Sequence, residues 1–181
     1  MPRLAAIALV FVFSWVPLYA TTLEKLSMDE MIEKSTEIVR GIVTGSSTAF
    51  RGSVIYTHYS IKVVERWKGS PQATLTVLVP GGRVGGLKQS FGGVPVLSPG
   101  TDYVLFLWTG KSGATQLIGL SQGVFHLNTA AGVDPVVARG TISEMILDPK
   151  SGLPVVDQPI QMRLSELVSR ISATLANGAA Q

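Results

Sequence analysis

The sequence predicts a mainly β (α+β) fold: a small, curved antiparallel sheet closing toward a barrel, with a short helix before it and a longer amphipathic helix after it. Three observations predict it. Between Val54 and Trp67, Ile55, Thr57, Tyr59, Ile61 and Val63 alternate with His58, Ser60, Lys62 and Arg66, the pattern of a long strand with one face on a core. Further apolar runs recur downstream, separated by glycine and proline. Near the C-terminus, Leu164, Leu167, Val168, Ile171 and Leu175 fall at helical spacing.

In chain order, the first segment is Met1 to Ala20. Arg3 precedes an apolar run from Leu4 to Phe13, and Ala20 supplies a small residue for cleavage, the layout of a secretory signal peptide. The run is shorter than the roughly twenty residues that span a bilayer. A secreted or periplasmic location is therefore expected, with no membrane span once the leader is removed and residues 21–181 forming one domain. Ser27 and Glu30 then have the form of a capping box, predicting a helix over Met28 to Ser35.

Strands are expected at Ile38–Thr44, where Gly41 permits a bulge or sharp curvature, at Val54–Trp67, and at Leu75–Val79. Alternation along the second puts Tyr59 and Trp67 on its buried face and Tyr56 opposite. Seven glycines between Pro80 and Gly100 predict no regular element there, but a mobile surface loop ending in a type II turn at Ser98–Thr101. Tyr103–Trp108, apolar on both faces, reads as a central strand. Leu117–Leu120 and Val124–Leu127 continue the β pattern across a bend at Gln122 and Gly123. A turn at Asp148–Gly152 joins short edge strands around Ile146 and Val155. The last helix ends at Asn177 and Gly178.

Charge and composition exclude several functions. Fifteen basic against twelve acidic side chains give a formal charge of +3, too faint and too scattered for a nucleic-acid footprint. There is no cysteine, so neither a lipoprotein anchor nor a c-type haem site can form. The two histidines, His58 and His126, plus scattered carboxylates make a poor metal set, so no metal or cofactor is expected. Pro80–Gln89 has the glycine spacing of a phosphate loop at Gly81 and Gly86. Leu87 before Lys88, and Gln89 in place of Ser or Thr, leave it without the chemistry.

Gly119-Leu120-Ser121-Gln122-Gly123 spells G-x-S-x-G, the nucleophile elbow of serine hydrolases. That motif needs a strand, a strained turn and then a helix, whereas Val124 to Leu127 reads as strand, and His126 precedes Asp134 rather than following an acid. No catalytic residue is therefore assigned. The glycine-rich loop is the expected contact element, with Arg83, Lys88 and Phe91 as its contact residues.

Ile38-Val39-Arg40-Gly41-Ile42-Val43, followed by Ile61 to Gly69 with its Val-Glu-x-x-Lys-Gly ending, resembles a group of uncharacterised exported bacterial domains. The same cadence is similar to netrin-like modules and tissue inhibitors of metalloproteinases, over about Glu37 to Leu107. The resemblance implies an OB-like five-stranded barrel with flanking helices. It does not carry the inhibitors' zinc-chelating N-terminal cysteine or their disulfides, which this chain lacks. The expected function is a non-enzymatic binding or interaction module for an envelope or extracellular protein. The alternatives are a serine hydrolase using Ser121 and a netrin-like protease inhibitor.

Overall fold

The computed structural model describes residues 22–178, so the expected leader lies outside the described residues. The chain runs β1 (Thr22–Glu24), α1 (Met28–Lys34), β2 (Glu37–Arg51), β3 (Val54–Lys68), β4 (Thr74–Pro80), β5 (Gly82–Val84), β6 (Leu87–Gln89), β7 (Asp102–Thr109) and β8 (Thr115–Leu117). A 3-10 turn at Leu120–Gly123 leads into β9 (Val124–Asn128), then β10 (Val136–Arg139), β11 (Met145–Leu147), β12 (Pro154–Val155), β13 (Ile160–Arg163) and α2 (Leu164–Gly178). The described residues are mainly β, with two α-helices among them, and no described helix is long and apolar enough to cross a membrane.

One sheet has the strand order β13-β10-β9-β7-β2-β3-β4-β8. β8 also pairs antiparallel with β7, through Leu107–Leu117, Trp108–Gln116 and Thr109–Thr115, and meets β4 in a parallel pair at Leu78–Gln116. β7 gives its first half to β9 and its second to β8 along a single edge. The 3-10 turn is thus an interruption in one strand-like edge, where the sequence predicted a bend. A smaller sheet, β1-β11-β12, contains the expected Ile146–Val155 pair.

Two apolar clusters pack on this frame. Val39, Val43, Tyr59, Ile61, Val77, Val79, Leu97, Tyr103, Leu105 and Leu107 belong to the first. Met31, Ile32, Ile38, Val104, Phe106, Phe125, Leu167 and Ile171 belong to the second, which joins both helices to the sheet. β7 alternates between them: Tyr103, Leu105 and Leu107 face one cluster, Val104 and Phe106 the other. Complete burial of a side chain such as Phe106 stabilises by roughly 1.5–3 kcal/mol.

The helices sit where their caps and charges place them. Ser27 accepts from the Glu30 N–H and Glu30 accepts from the Ser27 N–H, completing the predicted box. At the other end of α1, Lys68 Nζ donates to the carbonyls of Ile32 and Glu33, each at 2.9 Å, satisfying terminal groups that have no helical partner. Arg170 on α2 donates to both Asp29 oxygens at 2.8 and 3.1 Å, tying the two helices together.

Three expectations need correction. β2 does not end near Thr44 but runs to Arg51 and pairs residue for residue with Val54–Ser60 as a polar arm. Tyr59 and Trp67 do not share a face. Val64 and Trp67 are extra residues opposite the Arg40–Gly41 and Ile38–Val39 steps, and the bulges send Trp67 to the helical cluster while Tyr59 stays in the other. Nor is Pro80–Gly100 irregular throughout, because β5 and β6 form a hairpin within it. Gly85 and Gly86, at φ 55° and 84°, supply the two positive-φ residues of a tight hairpin turn.

Candidate functional site

The arm and the glycine-rich segment build a cleft together. Thr48 Oγ1 donates to the Arg83 carbonyl at 2.6 Å, and Thr57 Oγ1 to the Gly81 carbonyl at 2.8 Å. Gln89 is bound from both ends of its amide: Oε1 accepts from the Ile55 N–H at 2.6 Å, and Nε2 donates to the Ser53 carbonyl at 3.0 Å. These bonds lay the β5–β6 hairpin against β2 and β3, where the sequence had suggested a mobile loop. Beyond it the chain packs back, with Leu97 buried in the first cluster and Val94 against it. Ser98 to Thr101 closes the segment in the expected turn, with Gly100 at φ 78° and the Thr101 N–H bonded to Ser98 O.

Between hairpin and returning chain lies a cleft of about 450 Å³. Arg83, Lys88 and Phe91 all line it, so the three contact residues expected from sequence converge on one site. Arg83 and Lys88 are directly paired across the hairpin, both are exposed, and neither forms an ion pair among the described residues. The rest of the lining includes Tyr59, Val79, Val94, Pro95 and Val96, and no Asp or Glu. These apolar wall residues were missed from sequence. Tyr59 and Val79 read as core, and nothing in a glycine-rich stretch shows that Val94 to Val96 folds back over them.

A second cavity, of about 290 Å³, shares the Val94–Pro95 wall and is lined by Ser121, His126, Arg139 and Glu144 among others. It therefore brings together the serine and one histidine singled out by sequence; His58, on β3, is not in its lining. Ser121 Oγ is buried and has no hydrogen-bond partner among the described residues. Its turn begins with Gly119 and Leu120 at φ 56° and 54°, and runs into strand β9 rather than a helix. His126 projects from that strand, exposed, with its ring 5.0 Å from Tyr103. Glu144 Oε1 accepts from the Gly93 N–H at 2.7 Å and from Ser143 Oγ at 3.1 Å. Arg139 is buried and its Nη2 donates to Asp157 at 3.0 Å and to the Gln158 carbonyl at 3.4 Å, while its Nε and Nη1 have no partner among the described residues.

Gln122, beside Ser121, is used structurally: Oε1 accepts from the Leu26 N–H at 2.9 Å and Nε2 donates to the Glu24 carbonyl at 2.8 Å, anchoring the chain between β1 and α1. Among the described residues there is no group of three His, Cys, Asp or Glu able to hold a metal ion. No family model, no curated protein and no solved structure matches the chain.

Proposed function

We propose that the protein is an exported, non-enzymatic binding module that engages an envelope or extracellular partner through the cleft between the β5–β6 hairpin and the Phe91–Val96 segment. The observation that carries this reading is the convergence of Arg83, Lys88 and Phe91 on one concavity with an apolar wall and no acid in it. Its volume lies within the range of ordinary ligand sites, and a few polar groups at an apolar pocket are their usual construction. The pairings β7-β2-β3-β4-β8-β7 run in a circuit, which supports an OB-like barrel as the scaffold. In that reading the cleft sits against β3 and β4, with the hairpin as its outer wall.

The test is capture from an envelope fraction with the full chain as bait and with a variant carrying Arg83→Gln, Lys88→Gln and Phe91→Ala. All three side chains are exposed, so the variant keeps its fold, which circular dichroism checks. Loss of a specific partner from the variant supports the reading. The same captured set with both proteins overturns it.

A second reading, a serine hydrolase, is favoured by one observation: Ser121, His126 and Glu144 line one cavity, beside a non-glycine residue at positive φ. Against it stand a hydroxyl shut from solvent and the absence of a hydrogen bond from Ser121 to His126, the contact that activates such a nucleophile. A fluorophosphonate probe decides. Labelling that disappears in Ser121→Ala supports hydrolysis, and an unlabelled folded protein removes it.

A further inference from the structure

The arrangement of charge in the cleft narrows what it holds. Arg83 and Lys88 occupy opposite positions on antiparallel strands, where side chains start about 5 Å apart and like charges repel. A folded protein keeps such a pair without a carboxylate at some loss of stability, and an anion placed between the two removes that loss. Both cations come from one hairpin. The apolar lining comes from other elements: Tyr59 from β3, Val79 from β4, and Phe91, Val94, Pro95 and Val96 from the returning chain.

Charge is therefore gathered on one wall, while the others are mainly apolar, with Thr57, bonded to the Gly81 carbonyl, and Ser90 as their polar members, which suits a molecule with one anionic head and an apolar body. An acidic peptide distributes its charges along its length and would leave those apolar walls poorly covered. Resting on the binding reading above, we propose that the cleft is a site for a small amphiphilic anion, its carboxylate or phosphate head held by Arg83 and Lys88 and its hydrocarbon body laid against Phe91, Val79 and Tyr59. The cleft's volume admits a chain of about ten carbons, a size within the range of ordinary ligand sites.

Gln89 fixes the hairpin that carries the head-group cations, because both ends of its amide are bonded to the arm. The cations are thus presented by a braced element rather than by a free loop. Preorganisation of this kind reduces the ordering loss on binding.

Isothermal titration calorimetry on the full mature chain tests the proposal with decanoate, decyl phosphate and neutral 1-decanol, each below its aggregation limit. Decanoate and decyl phosphate are expected to bind at least about tenfold more tightly than 1-decanol, and added salt to erode the difference. Preference for one of the two anions tells a carboxylate from a phosphate source. Arg83→Gln with Lys88→Gln is expected to abolish the discrimination between anion and alcohol, and Phe91→Ala to weaken all three. Equal affinity for anion and alcohol, unaltered anion binding in the double glutamine variant, or no binding of any probe overturns the proposal. If no amphiphile binds while a specific protein partner is still lost from the triple variant, the ligand class fails and the binding function stands.

Discussion

Removing Asp157 is expected to be among the most damaging single substitutions outside the apolar clusters. Asp157 is 7% exposed and Arg139 8%. One carboxylate oxygen accepts from Arg139 Nη2 at 3.0 Å and the other from the Ile142 N–H at 2.9 Å. In Asp157→Ala the guanidinium, whose Nε and Nη1 already lack acceptors, loses its remaining charged partner, and the Ile142 N–H is orphaned as well. Breaking one side of a buried pair costs about 3–5 kcal/mol. For a domain of this length that lowers the melting temperature by about 10 °C. Urea unfolding at constant m-value measures the loss. Arg139→Leu combined with Asp157→Leu removes the buried charge and its unsatisfied donors together, so the double variant is expected to be more stable than Asp157→Leu alone. A loss below about 1 kcal/mol in Asp157→Ala, or a double variant as unstable as the sum of its parts, refutes the reasoning.

Gly41→Ala places a Cβ 2.5 Å from Ile61 Cγ2 and 3.0 Å from the Lys62 carbonyl oxygen. Ile61 is fully buried and a strand carbonyl cannot step aside, so about 1–3 kcal/mol of destabilisation is expected by chemical denaturation; unchanged stability refutes the close approach. Acid should destabilise the protein through its helix ties. The Arg170 hydrogen bond holds the Asp29 carboxyl below the usual range, the Ser27 backbone N–H and then its hydroxyl do so for Glu30, and the Ser165 hydroxyl and then its backbone N–H do so for Asp134. A carboxyl lowered on folding adds stability that is present above its unfolded value, near pH 4, and is lost as pH falls through the lower folded value. Unfolding free energy measured from about pH 5 to about pH 2 is expected to fall with pH, and to fall less steeply in Asp29→Asn with Asp134→Asn. An identical slope in that variant counts against these ties.

What could be read from sequence was what depends on local chemistry. The capping box at Ser27 and Glu30, the turn at Ser98–Thr101, the bend at Gln122–Gly123 and the doubly apolar β7 each carry their own signal within a few residues, and each is present. What escaped depends on partners far along the chain. Gly45 to Ala49 has no apolar alternation because it belongs to an arm with much of its surface in solvent, so its strand was invisible. β10 lies in a stretch of weak pattern and β13 just beyond it; pairing of β10 with β9, and of β13 with β10, is what makes them strands. Trp67 was misplaced because single-residue bulges reverse a face without changing the composition that alternation is read from. The Gly85-Gly86 pair did carry a hairpin signal, hidden by the glycines around it.

In the candidate site, charge and an aromatic on a glycine-rich segment are the features that drew attention to Arg83, Lys88 and Phe91, which line one cleft. The wall formed by Tyr59 and Val79 was not legible, since a residue that is core on one side and ligand surface on another looks like any other core residue. Arg139 and Glu144 escaped for a different reason. They approach Ser121 only through the fold of a region whose own sequence pattern is faint.

β7 makes a party wall of a single strand. Neither apolar compartment owns it, so the helical layer cannot peel away without stripping Val104 and Phe106, and the other compartment cannot open without dislodging Tyr103, Leu105 and Leu107 from the same backbone. Melting of one therefore entails melting of the other. Every second position from Tyr103 to Leu107 answers to a different set of neighbours, which leaves this stretch without a spare face on which substitutions could accumulate harmlessly.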